Sequence, residues 1–323
     1  MSDLVVPLSL GTWPTPVEPM PRLAAALGLG PDDLLVKRDD LTGLGGGGNK
    51  IRKLEWTLAQ ALADGADTLV TTGAPQSNHA RLTAAAAARL GLRAVLVFPG
   101  ERGAARSGNL ALDALLGAEI VFSGVTGQRA LADAASQACD RLRSEGARPA
   151  LIPFGGSSAL AARGYVRCGE ELVSQVPGLR TAVVALGSGA TMAGLVASLG
   201  AERTLGVDVG AVDDPHRRVV EFAAPLAPDV SADGLRVDRD HIGSGYASLP
   251  SSVEEALTLS ARLEGIVLDP TYTGRAMAGL VAAARRGEIV PGDRTVFVHT
   301  GGLPGLFGHA TALEFADSIQ KSD

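Results

Sequence analysis

The stretch Thr68–Phe98, TLVTTGAPQSNHARLTAAAAARLGLRAVLVF, decides the fold class predicted for this chain. Thr68–Thr72 and Arg93–Phe98 are short, continuous apolar runs that predict buried strands, and the alanine-rich Ser77–Leu90 between them predicts a helix. Buried strands that alternate with helices are typical of parallel sheets covered by helices on both faces. This unit therefore predicts an α/β fold.

The same alternation continues along most of the 323 residues. Further strands are predicted at Glu119–Phe122, Ala150–Phe154, Thr181–Leu186, Thr204–Val209 and Arg294–Thr300. Further helices are predicted at Gly108–Leu116, Val125–Glu145, Leu160–Gln175, Ala190–Leu199, Ser252–Glu264, Arg275–Arg286 and Pro304–Ile319. Glu264–Leu280 begins with a strand-like run, and Pro215–Pro250, which is rich in proline and charge, is predicted to include a surface loop.

Composition excludes several classes of protein. With 46% hydrophobic and 20% charged residues the chain is predicted to be globular rather than disordered. A net charge of -6 and an aromatic content of 4% disfavour a nucleic-acid partner, which needs a basic surface or stacking platforms. The two cysteines, Cys139 and Cys168, are too few for a disulfide scaffold, and we interpret them as core residues in a reducing compartment.

Two segments bear on membranes and targeting. Met1–Pro14 lacks the basic and apolar pattern of a signal peptide. Between Arg180 and Glu202 no residue is charged, and this length could span a bilayer. The glycine-containing turn Gly187–Thr191 interrupts that segment, so a strand, a loop and a helix explain it better. We therefore predict a cytoplasmic protein without a membrane partner.

The first candidate site motif lies in Val36–Glu55, VKRDDLTGLGGGGNKIRKLE, where four glycines precede Asn49 and Lys50 and a helical pattern follows. A lysine at a helix start is disfavoured by the helix dipole, which lowers its affinity for a proton and suits an amine that attacks an aldehyde. A phosphate-binding P-loop would need Ser or Thr after the lysine, where Ile51 stands. A solvated lysine on a flexible turn is the other alternative.

The second motif follows the strand at Thr68–Thr72 and opens the next helix with Gln76, Ser77, Asn78 and His79. Free amides at a helix start can hold a carboxylate, which indicates a binding site. Ser77 or Asn78 could instead serve only as a helix cap.

The third motif is a loop between a predicted strand and helix. It consists of Gly187, Ser188, Gly189, Ala190 and Thr191. Such a loop can direct successive backbone N–H groups at a phosphate. The two glycines, with Asp208 about 20 residues further on, also fit part of a dinucleotide fingerprint, but Met192 stands at the third glycine position. A nucleotide-binding dehydrogenase therefore remains an alternative.

Two C-terminal segments complete the candidate site. Tyr272 and Thr273 lie at a turn before a helix, and Thr300 ends the strand that begins at Arg294. Ligands of open α/β sheets bind at the carboxyl ends of strands, which favours a site here. A core tyrosine and a tight turn would explain the same residues without a ligand.

Together and in this order, the three motifs and the two C-terminal segments resemble the D-cysteine desulfhydrase and 1-aminocyclopropane-1-carboxylate deaminase group of fold-type-II pyridoxal-phosphate enzymes. The resemblance extends from about Pro14 to Phe307. It implies two open, twisted, mostly parallel sheets flanked by helices, as in the β subunit of tryptophan synthase. It also implies a large cofactor domain of residues 1–53 and 154–323, a small inserted α/β domain of residues 54–153, and a homodimer.

The resemblance also implies which residues bind the cofactor. Lys50 is implied to carry pyridoxal phosphate as a Schiff base, with Lys53 near the phosphate. The Gly187–Thr191 loop is implied to hold the phosphate, Asn78 to bond the phenolic oxygen, and Thr300 to lie beside the pyridine ring. No metal is expected.

Lys50, Ser77 and Tyr272 are implied to be catalytic, and the substrate is a small amino acid. The residues implied to contact it are Gln76, Ser77, Asn78, His79 and Thr273. Two positions depart from the family pattern. Ser158 stands where asparagine is usual, and Arg275 stands where lysine is usual.

With Thr273 and Thr300 this chain resembles the desulfhydrases, whereas the deaminases have Glu and Leu at these two positions. A carboxylate beside the pyridine nitrogen makes the ring a stronger electron sink than a hydroxyl does. The pair therefore favours α,β-elimination from D-cysteine to pyruvate, ammonia and sulfide. Elimination from another β-substituted amino acid, deamination of the cyclopropane amino acid and a non-catalytic cofactor carrier stay open.

Overall fold

The computed structural model describes residues 5–103, 107–245 and 248–320. Its strands are β1 (Val17–Pro19), β2 (Leu34–Lys37), β3 (Thr68–Thr72), β4 (Arg93–Phe98), β5 (Glu119–Phe122), β6 (Pro149–Ile152), β7 (Leu179–Leu186), β8 (Thr204–Asp208), β9 (Arg236–Asp238) and β10 (Arg294–Val298). Its helices are α1 (Pro21–Ala26), α2 (Lys50–Ala63), α3 (Asn78–Leu90), α4 (Asn109–Leu115), α5 (Gln128–Ser144), α6 (Ala159–Gln175), α7 (Ala190–Leu199), α8 (Pro215–Ala223), α9 (Ser251–Glu264), α10 (Thr273–Arg285), α11 (Leu303–Leu306) and α12 (Ala310–Gln320).

The larger sheet has the strand order β1-β2-β10-β7-β8-β9, and only the β1–β2 pair is antiparallel. Side chains of the central strand β7 enter two different cores. Val183 and Ala185 pack on the side of α9 and α10, whereas Ala182, Val184 and Leu186 pack on the side of α6 and α7. Because successive side chains of a strand point to opposite faces, a strand covered on both sides is apolar throughout.

The smaller sheet has the order β5-β4-β3-β6 and is parallel throughout. Successive side chains of its strands also enter two different cores. Leu69 and Leu96 pack with α2 and α3, whereas Val70 and Val95 pack against α5. The predicted α/β class with two mostly parallel, helix-flanked sheets is therefore confirmed. The predicted domain limits at residues 54 and 153 stay a prediction.

Two local predictions are corrected. The strand-like run after Glu264 forms no strand, since Gly265 ends α9 in the left-handed conformation (φ 67°). The single helix predicted at Pro304–Ile319 is two helices, α11 and α12. The ring of His309 accepts the backbone N–H of Ala312 at 3.2 Å and so starts α12 anew.

The structure also contains elements that were not predicted. β1, α1 and β2 lie in a region for which no element was predicted, and β2 pairs in parallel with β10. Pro215–Pro250 contains α8 and β9 in addition to loops. α8 begins at Pro215, and the side chain of Asp214 caps it by accepting the Arg217 N–H at 2.9 Å.

Both cysteines are free and lie in the cores, Cys139 on α5 and Cys168 on α6. Burial raises the pKa of both thiols. They act as small apolar residues, as predicted. Within the described ranges, no helix is both long enough and apolar enough to cross a bilayer.

A buried ionic network fixes helix α2. The Arg52 guanidinium donates to both carboxylate oxygens of Asp39, at 2.8 and 2.9 Å, and to Glu171 of α6 at 2.8 Å. Tyr165 donates its hydroxyl to Asp39 at 2.6 Å, and Lys37 of β2 donates to Glu171 at 2.6 Å. Since Arg52 is two residues from the helix start, the network sets the direction of the first turn of α2.

Candidate active site

Two adjoining cavities lie where α2, α3, α7 and α10 begin. They share Lys50, Ser188 and Tyr272. The larger cavity, of about 210 Å³, is also lined by Ala74, Ser77, His79, Phe154, Gly155, Gly210 and Ala211. The smaller cavity is also lined by Asn49, Lys53, Asn78, Ala185, Leu186, Gly187, Gly189, Thr191, Met192, Thr300 and Gly301. Residues from each of the three motifs and from both C-terminal segments therefore meet here.

A third cavity, of about 440 Å³, lies beside α2 and α6, and Arg52 and Glu55 are among the residues that line it. Arg52 and Glu55 are both already engaged within the fold. Arg52 belongs to the buried ionic network, and Glu55 accepts the backbone N–H of Leu10 at 2.8 Å and the indole N–H of Trp13 at 2.8 Å. The paired cavities beside Lys50, which contain two lysines and no carboxylate, are the better candidate for chemistry.

The glycine turn Gly45–Gly48 places Lys50 in the site. Gly45–Gly48 all have positive φ, between 57° and 127°, which side chains rarely adopt. At Gly47 a Cβ would also collide with the Asp40 carbonyl oxygen. The four glycines therefore permit a path that makes Lys50 the first residue of α2, as the sequence predicted.

Asn49 connects three parts of the site, and the sequence analysis assigned it no role. Its backbone N–H donates to the Thr300 carbonyl at 2.9 Å, and its side-chain amide donates to the Thr191 hydroxyl at 3.1 Å. These bonds tie the start of α2 to the loop after β10 and to α7. A polar residue between a glycine run and a helix is the signal that could have indicated this role.

The electrostatics of Lys50 suit a nucleophilic amine. Its Nζ donates to the Gly155 carbonyl at 3.2 Å. Burial lowers the pKa of Lys50 to about 8, although a hydrogen bond with Lys53 acts in the opposite direction. The sequence attributed a lowered pKa to the helix start, whereas burial is the largest cause. None of the described residues lining the two cavities is Asp or Glu.

Lys53 lies one turn further along α2 and is fully buried. Its Nζ donates to the Ser157 hydroxyl at 3.3 Å, and that hydroxyl contacts the Ser188 hydroxyl at 2.6 Å. Burial and the charge of Lys50 hold the pKa of Lys53 well below its usual value. No carboxylate balances the charges of these two neighbouring lysines. A bound anion would therefore stabilise their charged forms.

The loop between β7 and α7 fits that anion. Gly189, with φ 103°, precedes α7, whose first backbone N–H groups have no partner within the helix. At Gly187 a Cβ would lie 3.3 Å from the Tyr272 ring, so the missing side chain lets that ring approach the loop. The helix start and Lys53 line the same small cavity, which therefore fits a phosphate group.

The Ser-Asn-His turn contributes to both cavities. Ser77 caps α3 by accepting the Ala80 N–H at 3.2 Å, and it lines the larger cavity together with His79. Asn78 lines the smaller one. Gln76 lines neither, because its amide accepts the Asn109 N–H at 2.9 Å and donates to the Ser107 carbonyl at 3.0 Å. Its implied substrate contact has no support in this geometry.

Tyr272 lines both cavities and Thr300 lines the smaller one. Thr273 is fully buried and lines neither, because its hydroxyl donates to Asp269 at 2.7 Å. Asp269 was missed by the sequence analysis. Its carboxylate also accepts the backbone N–H groups of Thr271, Tyr272 and Thr273 at 2.9 to 3.0 Å. An aspartate that precedes a turn by a few residues is a recognised turn signal.

We expect Asp269→Ala to lower kcat by about 10- to 100-fold, because the backbone that carries Tyr272 loses three hydrogen bonds and a small misplacement is costly. Steady-state kinetics measures this effect. Asp214→Ala is the matched control, since Asp214 caps α8 and lines neither cavity. Asp214→Ala should lose about 1 kcal/mol of stability, as is typical of a helix cap, and Asp269→Ala should lose more because it leaves several donors without a partner. Equal kcat values in the two variants would contradict a positioning role for Asp269.

A buried lysine of lowered pKa beside a small cavity that fits a phosphate, at the carboxyl ends of parallel strands, suits an enzyme that binds a phosphorylated aldehyde cofactor. The comparison with protein families agrees. The chain belongs to the pyridoxal-phosphate dependent enzyme family, whose model matches residues 8–301. The P-loop and dinucleotide alternatives for the two glycine motifs are thereby set aside. The described residues contain no group of three or more His, Cys, Asp or Glu that could hold a metal ion.

Similar proteins carry two different names. A Pyrococcus abyssi protein provisionally named as a 1-aminocyclopropane-1-carboxylate deaminase is 41% identical, over 95% of this chain and 94% of its own length. The D-cysteine desulfhydrase of Salmonella typhi is 40% identical, over 92% of this chain and 94% of its own. The crystal structure of an ACC deaminase homologue superposes with a TM-score of 0.87 at 37% identity and covers 96% of each chain.

Proposed function

We propose that the protein is a lyase that eliminates the β-substituent of a small amino acid, with D-cysteine as its substrate and pyruvate, ammonia and sulfide as products. The observation that carries the proposal is the buried Lys50 amine, with a pKa lowered to about 8, beside a small cavity that contains Lys53 and no carboxylate. When bound, pyridoxal phosphate supplies the electron sink that stabilises negative charge at the substrate Cα.

The residues present fit this cofactor. Lys50 would hold its aldehyde carbon, and Lys53 with the Gly187–Thr191 loop would hold its phosphate. Asn78 would bond its phenolic oxygen, and Thr300 would lie beside its ring. The opposite charges of phosphate and lysine make binding favourable for both partners, because neither is then buried alone.

The proton transfers are assigned to residues of the larger cavity. With a pKa of about 8, Lys50 is partly neutral at physiological pH, and its amine can remove the substrate α-proton. The bond between Cβ and sulfur then breaks and its electron pair leaves with the thiolate. The remaining enamine takes up water to give pyruvate and ammonia. Ser77 and Tyr272 line the same cavity and are the candidates to move the other protons.

Two threonines favour elimination over opening of a cyclopropane ring. Thr300 presents no carboxylate to the small cavity, and Thr273 is bonded to Asp269. The Asp269 oxygens are themselves occupied by backbone N–H groups. A site without a carboxylate for the pyridine nitrogen provides the weaker electron sink, which suffices to expel a thiolate.

A substrate panel tests the proposal. Purified enzyme with cofactor is assayed with D-cysteine, L-cysteine, D-serine, cysteate and 1-aminocyclopropane-1-carboxylate, and pyruvate and 2-oxobutanoate are measured. We expect kcat/KM for pyruvate from D-cysteine to exceed that for 2-oxobutanoate by at least about 100-fold. Predominant 2-oxobutanoate would identify a deaminase instead. Bound cofactor without turnover of any amino acid would identify a carrier. The implied homodimer stays a prediction, which light scattering would measure.

A further inference from the structure

Asn109, the first residue of α4, is bonded to two residues of the second sequence motif. The side chain is fully buried. Its amide nitrogen Nδ2 donates to the backbone carbonyl of Gln76 at 2.8 Å and to Oδ1 of Asn78 at 3.0 Å. Its backbone N–H donates to the side-chain oxygen of Gln76 at 2.9 Å. Asn109 lines neither cavity of the candidate active site, so it acts on that site through the residues it binds.

The Gln76 carbonyl determines the orientation of two side-chain amides. A backbone carbonyl oxygen can only accept, so the Asn109 atom that contacts it is the nitrogen and not the oxygen. The Asn78 atom that contacts the same nitrogen must also be an acceptor, and it is therefore Oδ1. The two ends of an amide are otherwise alike in shape, and a hydrogen-bond network of this kind distinguishes them. Nδ2 of Asn78 is consequently the end left for another partner.

This nitrogen of Asn78 belongs to the candidate site. Asn78 begins α3, is half-buried and lines the smaller cavity together with Lys50 and Lys53. Among the described residues, its side chain bonds only to Asn109. An amide nitrogen has two hydrogens to donate and accepts none. The end of Asn78 that is available to a ligand in this cavity is thus a hydrogen-bond donor.

We propose that Asn109 is a positioning residue that holds Asn78 with its donor end toward the phenolic oxygen of the bound cofactor. The proposal rests on the proposed role of Asn78 at that oxygen. A hydrogen bond from a neutral N–H favours the negatively charged form of an oxygen over its protonated form. Asn109 would therefore keep the phenolic oxygen ionised. Without Asn109 either end of the Asn78 amide can face the cofactor, and the amide oxygen would oppose a negative charge there.

The test measures the absorbance of the cofactor-loaded, full-length protein across a range of pH. The ionised and protonated phenol of the bound cofactor absorb at different wavelengths, so the titration gives the midpoint of this ionisation. Asn109→Leu removes the amide that holds Asn78, and the midpoint should rise by about one pH unit. The titratable groups that line the smaller cavity are unchanged in this variant, and they are Lys50, Lys53 and Tyr272.

Gln128→Leu is the matched control. Like Asn109, Gln128 is the first residue of a helix and donates its side-chain amide to a carbonyl, that of Ala211 at 3.0 Å. It lines neither cavity and has no bond to Asn78. The midpoint of this variant should equal that of the unchanged protein, and a rise as large as in Asn109→Leu would contradict a specific effect of Asn109.

A double variant separates positioning from a general structural effect. Asn78→Ala removes the donor itself and should also raise the midpoint. Asn109→Leu added to Asn78→Ala should shift it no further, because Asn109 acts through Asn78. Additive shifts, or an unchanged midpoint in Asn109→Leu alone, would overturn the proposal. An unchanged midpoint in Asn78→Ala would refute the proposed role of Asn78 as well. If Asn109→Leu does not fold, Asn109→Ala, which removes the same amide without a larger side chain, decides.

Discussion

Lys50→Ala should lower the rate of pyruvate formation from D-cysteine by at least about 1,000-fold, because the variant loses both the attachment point of the cofactor and the favoured base. The substrate amine could join the cofactor aldehyde directly in this variant. Turnover should nevertheless stay low, because the favoured base is missing. Steady-state kinetics of the cofactor-saturated protein measures the loss. Activity close to that of the unchanged enzyme would refute the assignment of Lys50.

A chemical readout accompanies the kinetics. Borohydride reduction of the loaded protein, followed by peptide mapping, should attach the cofactor to the peptide that contains Lys50, and Lys50→Ala should lack this label. Lys53→Ala is the matched control on the same helix. It should keep the label on Lys50 but need more cofactor for saturation, since Lys53 lines the small cavity proposed to hold the phosphate. A label on Lys53 in the unchanged protein would reverse the two roles.

Asp39→Asn should lower the free energy of unfolding by about 3–5 kcal/mol, because it removes one partner of a buried ion pair and leaves Arg52 undercompensated. Denaturant unfolding measures the difference. Glu119→Gln is the control, since Glu119 forms exposed ion pairs with Arg93 and Arg141 and should change stability by less than about 1 kcal/mol. Similar losses in the two variants would show that the network does not stabilise α2 in this way.

The stability that the Asp39 carboxylate contributes should decrease as the pH falls. Burial alone would raise the pKa of Asp39, but the Arg52 charge and the hydrogen bonds from Arg52, Tyr165 and Thr15 outweigh it and lower the pKa. The carboxylate therefore contributes stability above its unfolded pKa of about 4. That contribution disappears as the pH falls through the lower folded value. Unfolding curves of the unchanged and Asp39→Asn proteins should accordingly converge in acid.

The sequence predicted the fold class because both sheets have strands that are buried on two faces. β7 is apolar from Ala182 to Leu186, and β3 has no charged residue, and that pattern is visible without a structure. β2 is only four residues long, and its partner β10 lies more than 250 residues further along the chain. A strand defined by so distant a partner leaves little local signal.

In the candidate site, too, the features set by neighbouring residues could be predicted, and those set by residues far along the chain could not. Glycine turns and helix starts are local features, so the residues predicted from them meet at the two cavities. Gln76 and Thr273 point elsewhere because Asn109 and Asp269 bind them. Asp39 and Arg52 resemble ordinary surface charges in the sequence. Their burial depends on α6, which begins more than 100 residues after Arg52.

The two buried cysteines have a consequence for an enzyme proposed to release sulfide. Exchange between thiols and disulfides needs an accessible thiolate, and the raised pKa values keep Cys139 and Cys168 protonated near neutral pH. Neither side chain can therefore readily exchange with a disulfide such as cystine, the oxidised form of the proposed substrate. Burial thus protects both thiols of the folded chain from exchange with disulfides formed by oxidation of its substrate.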